Sequence, residues 1–318
     1  MRLKDAISRS VTYLQHITMG GPEYVIYFGY GLGDDLLCTT LAHELKKRGA
    51  RSIVMFSKFA RLYEGNPDIL ATKDWGYPSI GRRHRWGYGS IIPQYAGYDP
   101  ANDRDLNPPC HFLQTMCSLA GMQGEIDLRP YLYLGAEEKN KGRLFSRQAV
   151  IHTGGRNDAK NKEWSSERYQ AVIDYFGGEI HWIQLGTAGD PLMRGAYDLR
   201  GKTTLRESAA MVANSHVLLG QAGFLMHVAR AVGTRAVIVY GGREDPAISG
   251  YRCFENIVGR TPCSYCWQRN RCDFGHECMQ MITVDQVAAA VRRQLDLIGT
   301  PLEVERAVLR PVTIPLHA

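Results

Sequence analysis

Apolar positions along this chain change period several times, and the changes divide it into elements. Leu3, Ile7, Val11, Leu14 and Ile17 recur every three or four residues and stop at Gly20, Gly21 and Pro22, which predicts an amphipathic opening helix. Tyr24 to Phe28 is instead an unbroken β-branched and aromatic run, the pattern of a strand buried on both faces of a parallel sheet. A glycine-rich turn from Gly29 to Gly33 follows, then helical spacing from Asp34 to Arg48 and a second strand at Ile53 to Phe56. Together these make one βαβ unit.

Between about residue 60 and residue 145 the pattern weakens, and irregular loops are expected with one helix near His111 to Ala120. The charged stretch Ala136 to Arg143 lacks apolar periodicity and is the best linker candidate, dividing the chain into domains at 1–143 and 144–318. Beyond it the rhythm is clean. Strands are expected at Ala149–His152, Ile180–Leu185, Val217–Leu219 and Ala236–Tyr240, and helices at Ser166–Phe176, Leu205–Ala213, Phe224–Val232 and Val284–Leu297. Alternating strands and helices imply a second parallel sheet covered by helices, so the fold class is α/β. A tail rich in Pro and Val closes the chain.

Composition narrows the class. The 318 residues suit two domains, and 44% hydrophobic with 22% charged residues excludes long disorder and coiled coil. The first 20 residues lack the apolar core of a secretory signal, and no apolar run is long enough to span a bilayer, so a cytoplasmic protein with at most peripheral membrane contact is expected. Lys and Arg number 38 against 32 Asp and Glu, a net +6, which falls short of a dedicated nucleic-acid binder and fits an anionic small ligand.

Three glycine turns carry the candidate chemistry. The turn at Gly29–Gly33 misses the dinucleotide fingerprint, because Asp34 or Leu36 stands where its last glycine belongs. Asp34 at a helix start reads as a general base or a substrate-binding carboxylate, the alternative being that Asp34 or Asp35 only caps the helix. Thr153-Gly154-Gly155-Arg156 leaves a strand end and precedes Asn157, Asp158, Lys160 and Lys162, a phosphate-binding loop or a solvated one. Gly220-Gln221-Ala222-Gly223 opens a helix whose bare N–H groups suit a diphosphate. His227, one turn in, faces either the ligand or the sheet. Gly241 and Gly242 end the next strand at the same sheet edge. Arg82, Arg83, His84, Arg85, Trp86 and Tyr88 read as a groove for a sugar or an acidic acceptor, or as a surface loop.

Four of the eight cysteines, Cys263, Cys266, Cys272 and Cys278, have the spacing C-x2-C-x5-C-x5-C. Four thiolates suit one tetrahedral structural zinc or iron, with His276 as an alternative ligand and free thiols or a redox pair as the other readings.

Taken in order, these motifs resemble the heptosyltransferase family of glycosyltransferases, family 9, from about Tyr24 to Val291. GLGDDLLCTTLAHELKKR at Gly31 to Arg48, KEW at Lys162 to Trp164, and the run from Leu199 to Gly242 carry the likeness. The cysteine loop resembles the iron-binding finger of autotransporter heptosyltransferases. The resemblance implies a GT-B architecture of two Rossmann-like domains facing a central cleft, and an inverting transfer of a sugar, heptose from ADP-heptose, to a saccharide or protein hydroxyl. It implies Asp34 as the catalytic base and Thr153, Gly154, Lys162, Gly186, Gln221, Ala222, Gly223 and His227 as donor-binding residues. It further implies no catalytic divalent ion, because protein groups hold the leaving diphosphate. Members usually have Asp-Ser or Asp-Thr where this chain has Gln221 and Ala222, and proline where it has Ser165. A non-catalytic nucleotide- or glycan-binding protein is the competing reading. A nucleic-acid partner is not expected, and the oligomeric state, a homo-oligomer included, stays open.

Overall fold

The computed structural model describes residues 23–27, 31–74, 89–91, 95–154 and 160–314. The expected opening helix, Phe28 to Tyr30, the Arg82 to Tyr88 segment and Gly155 to Asp158 lie outside the described residues.

The first βαβ unit forms as its pattern predicts. β1 (Tyr24–Tyr27) leads to α1 (Leu32–Lys47), and β2 (Ile53–Ser57) returns parallel with Ile53 opposite Tyr24. α1 buries Leu36, Leu37, Leu41 and Leu45, and its acidic first turn and basic last turn match the helix dipole. β3 (Ala71–Asp74) and β4 (Gly89–Ile91) extend this sheet to the order β3-β2-β1-β4. Two further short strands, β5 (Tyr98–Asp99) and β6 (Arg104–Asp105), form an antiparallel hairpin. α2 (Phe112–Leu119) occupies the expected helix, capped by His111, whose Nδ1 accepts from the Leu113 N–H at 3.2 Å. β7 (Glu125–Asp127) follows.

Between the two halves the expected irregular stretch is a helix, α3 (Ala136–Lys141). Glu138 accepts from the Gly135 N–H at 2.8 Å, the one half of a capping box that a glycine N-cap allows, and also takes the Arg206 guanidinium at 2.6 Å. None of its residues is buried, which is why it lacks an apolar stripe.

The second half runs β8 (Gln148–Ile151), α4 (Ser166–Phe176), β9 (His181–Gln184), β10 (Tyr197–Asp198), α5 (Leu205–Ala213), β11 (Val217–Gln221), α6 (Phe224–Val232), β12 (Arg235–Val239), β13 (Glu255–Ile257) and α7 (Val284–Asp296). Its sheet is parallel throughout, in the order β10-β9-β8-β11-β12-β13. The last strand, β14 (Arg306–Val308), pairs back on β7, so the tail is anchored to the first half.

Alternation within the strands sorts residues into two cores. Ala149, Ile151, Val217, Leu219, Val237 and Val239 pack under α4 and α7. Their strand neighbours Val150, Leu218 and Ile238 join a second cluster that also holds Ile26, Leu36, Met55, Leu225 and Met226. That second cluster is shared by both sheets. Each fully buried aliphatic side chain stabilises by roughly 1.5–3 kcal/mol, so this common core fixes α1 against α6. Among the described residues no helix is long and apolar enough to cross a membrane.

Candidate active site

A cleft of about 440 Å³ opens where the carboxyl ends of the second sheet meet the start of α1. This is the edge at which parallel sheets bind ligands. Asp34, Gly154, Lys162, Gly186, Gln221, Ala222, Gly223 and His227 all line it. Thr153 is buried behind them, its hydroxyl accepting from Gln184 Nε2 at 3.3 Å.

Gly31, not an aspartate, caps α1, so Asp34 stands third in the helix and the capping alternative falls away. Asp34 is half-buried, and Tyr95 donates its hydroxyl proton to Oδ1 at 2.6 Å. The Tyr95 ring stacks on Phe112 at 3.9 Å between centroids, which sets the hydroxyl in place. Asp35 points away into the first half, buried, accepting from Ser57 and from Tyr63 at 2.6 Å. Burial pushes its carboxyl up to about 6, more than the two hydroxyls lower it. Two adjacent carboxylates therefore have different environments.

α6 begins opposite. Its N-cap Gly223 has no side chain, so the first N–H groups of the helix are left for a ligand. Gly33 is where the two helices approach: a Cβ there would lie 3.1 Å from the His227 ring and 3.4 Å from the Phe224 nitrogen. His227 Nδ1 is 2.8 Å from the Tyr251 hydroxyl. Burial, with His111 and Lys162 nearby, drops the imidazole to about 3, so it lines the cleft as a neutral ring. Gln221 donates from Nε2 to the Gly154 carbonyl, tying two strand ends together. Beside them the Asp190 carboxyl fills the space next to Gly154 and Gly186, the latter at φ +144°, and accepts from the Thr187 N–H at 2.9 Å.

A chain of charges crosses one wall. Lys162 Nζ pairs with Glu244 at 2.6 Å, Arg243 bridges Glu244 to Asp105, and Arg269 reaches Asp105 at 2.6 Å. Burial raises the Glu244 carboxyl, but Lys162 and Arg243 together outweigh it and hold it at about 2. Among the described residues the three cations of this wall, Lys162, Arg243 and Arg269, are each paired with a carboxylate, so backbone N–H groups would share the holding of a diphosphate.

Sequence reasoning missed Tyr95, Asp105, Asp190, Arg243, Glu244, Trp267 and Arg269 as cleft residues. Arg243 and Glu244 directly follow Gly241-Gly242, a usable signal. Those two glycines do not line the cleft; they lie against Met279 and Cys278 and seat the cysteine loop. Tyr95 and Asp105 come from the unpatterned stretch, where no local rule points to them.

Cys263, Cys266, Cys272 and Cys278 are free and half-buried. Burial pushes up the Cys266 thiol, with Cys263 and Cys272 adding, and the Cys278 thiol, with Cys266 and Cys272 adding, so the four sulfurs share one neighbourhood. The His276 N–H donates to Cys272 Sγ at 3.3 Å, while its ring faces Asn161 Oδ1 at 2.8 Å, away from a ligand role. Among the described residues no group of three or more His, Cys, Asp or Glu side chains stands close enough to hold a metal ion.

No curated protein sequence matches the chain. Solved structures do share its fold. Escherichia coli ADP-heptose LPS heptosyltransferase II is 16% identical, covers 86% of this chain and 98% of its own, and has a TM-score of 0.65. A family 9 glycosyltransferase from Veillonella parvula is 17% identical over 86% of this chain and 97% of its own, at 0.62. TibC from enterotoxigenic Escherichia coli, an iron-containing dodecameric glycosyltransferase, is 16% identical over 86% and 76%, at 0.65. TibC is also known in complex with ADP-D-beta-D-heptose. Residues 122–273, which contain the whole second sheet and three of the four clustered cysteines, match the family model of glycosyltransferase family 9 (heptosyltransferase). Over residues 122–273 the chain therefore carries a glycosyltransferase family 9 (heptosyltransferase) domain.

Proposed function

We propose that this chain transfers heptose, with inversion, from ADP-heptose to a hydroxyl of a saccharide or protein acceptor. The observation that carries the reading is the meeting, across Gly33, of the Asp34 carboxylate with the uncapped start of α6 in one cleft. The family match and the ADP-heptose complex of TibC support the donor.

The residues divide the work as follows. N–H groups at Gly223 and beyond, with Lys162, would hold the diphosphate; Gly154 and Gly186, whose missing side chains make room for the Asp190 carboxyl, would line the donor's side of the cleft. Asp34, oriented by Tyr95, would take the proton of the acceptor hydroxyl as that oxygen attacks the anomeric carbon. The bond from that carbon to the β-phosphate oxygen breaks, and its electron pair leaves on ADP, where the donors around α6 stabilise the charge. His227, neutral, supplies a polar wall without competing for that proton.

In the same proposal residues 1–143 bind the acceptor and 144–318 the donor, and the protein works in the cytoplasm. Four thiols in one neighbourhood have the donor chemistry of a structural iron or zinc site, so Cys263, Cys266, Cys272 and Cys278 would hold one ion that clips the loop, although the side chains as they stand are not drawn together into a coordination sphere. Metal analysis of the purified protein should give about one ion per chain, and light scattering should show whether it assembles. Calorimetric titration with ADP, GDP, UDP and ADP-heptose is the deciding experiment. Selective binding of ADP and ADP-heptose, followed by turnover, is expected; binding without turnover on any acceptor overturns the catalytic reading, and preference for another nucleotide overturns the donor.

A further inference from the structure

Lys162 stands on a turn too short to hold itself. Lys160–Lys162 is one turn of 3-10 helix, and of its residues only Asn161 is buried, at 4% exposure. A polar side chain costs stability when buried unless its hydrogen bonds are made, and Asn161 uses every N–H it has. Nδ2 donates to the Gln268 carbonyl at 3.2 Å and the Arg271 carbonyl at 2.7 Å, and the backbone N–H donates to the Arg269 carbonyl at 3.0 Å. Oδ1 accepts from His276 Nε2 at 2.8 Å. All four partners belong to the cysteine loop. Turning the amide would set its oxygen against two carbonyl oxygens, so its orientation is fixed, and with it the proton on His276 Nε2.

The residues on either side of Asn161 are tied to the same loop. The Lys160 N–H donates to Asn270 Oδ1 at 3.2 Å, and the buried Trp164 donates its indole N–H to the Ile282 carbonyl at 3.3 Å. Lys162 therefore lies between two anchors. In the other direction the loop reaches the first half, where the Arg269 N–H donates to the Asp103 carbonyl at 2.9 Å and the Trp267 carbonyl accepts from the Asp105 N–H at 3.0 Å. The loop thus joins the turn that carries Lys162 to the β5–β6 hairpin. Glu244 holds the ammonium of Lys162 at 2.6 Å, but a flexible four-carbon stem separates that group from the backbone. Fixing the root of such a stem reduces the freedom that a bound ligand has to freeze.

We infer that Asn161 is a positioning residue: by clasping the cysteine loop it fixes the backbone from which Lys162 reaches a diphosphate. Asn161 does not line the cleft, and it acts only through its neighbour. The inference rests on the transferase reading above and goes beyond it by giving the cysteine loop a part in nucleotide affinity without contact with the nucleotide.

The test is a double-mutant cycle, read as calorimetric affinity for ADP in the unchanged protein, Asn161→Ala, Lys162→Met and the pair. Asn161→Ala should weaken ADP binding about fivefold, within the range of coupling between neighbouring residues. In the Lys162→Met background the same change should cost less than about twofold, since a lysine that is absent cannot be misplaced. If Asn161→Ala binds ADP as the unchanged protein does, or if the two losses multiply in the pair as general damage to the loop would make them, the positioning role is overturned and the transferase reading survives. If the unchanged protein does not bind ADP, the transferase reading falls and takes the role of Asn161 with it. Should Asn161→Ala fail to fold, His276→Asn runs through the same cycle. It removes one bond to Asn161 and, at φ +59°, keeps a residue type that tolerates left-handed backbone. Its loss of about threefold must likewise vanish once Lys162 is gone.

Discussion

The starts of α1 and α6 use the same local device, a strand end passing through glycine into a helix without a side-chain cap, yet they differ in charge. α1 carries Asp34 and Asp35 in its first turn, and α6 carries no acid there. Helix N-termini attract anions, and α1 has already met that attraction with its own carboxylates, which leaves α6 as the place for a diphosphate. Under the proposed function, two copies of one backbone motif would serve one as a base and the other as an anion site, told apart by two side chains.

Asp34→Ala should break this division most severely. Turnover is expected to fall by about 10²–10⁴, the usual worth of a positioned base, with ADP affinity within about twofold; equal losses in both would deny the separation of roles. Lys162→Met strikes the other side: ADP affinity should drop by about ten- to a hundredfold, as a charged hydrogen bond is lost, and calorimetry reads it directly. Gly33→Val tests the approach itself. Its side chain must displace the His227 ring, costing about 1–3 kcal/mol in a urea melt and lowering both turnover and ADP affinity; a variant of unchanged stability would show that the helices have room to separate.

Asp35→Asn sharpens the contrast between neighbours. The folded carboxyl, at about 6, lies above its unfolded value of 3.8, so its stabilising contribution is full below 3.8 and is lost as pH rises through 6. The amide should therefore gain on the order of 2 kcal/mol over the unchanged protein at pH 8 and little at pH 4, with turnover retained. Histidine acts in the opposite sense and more weakly near neutrality. His111 and His227 sit at about 4 and 3, below their ordinary 6.5, so stability is full above 6.5 and declines as pH falls from there. Unfolding at pH 7 and pH 5 should differ by roughly 1–2 kcal/mol for each histidine, offset in part by Asp35, and a His111→Gln variant should show a shallower decline.

Legibility followed burial. In the second half Ser166–Phe176, Leu205–Ala213 and Phe224–Val232 lie where their apolar spacing puts them, because each helix turns one stripe toward a sheet buried on both faces. In the first half β3, β4 and the β5–β6 hairpin escaped notice, being two to four residues long with no alternation to read. The helical form of α3 was not legible for a related reason: a helix that buries nothing writes no pattern.

By itself the sequence determined the α/β class, the strand ends at which small residues permit a ligand, and Asp34, Lys162 and the α6 start as candidate chemistry, because glycine, charge and period are local properties. Only the tertiary structure decided that these points share one cleft, that Asp35 turns inward while Asp34 faces the cavity, and that Tyr95, Asp105, Arg243 and Trp267 complete the wall. Asp105 and Arg243, for one pair, meet across 138 positions of the chain, and no periodicity within an element can encode a contact made between folded halves.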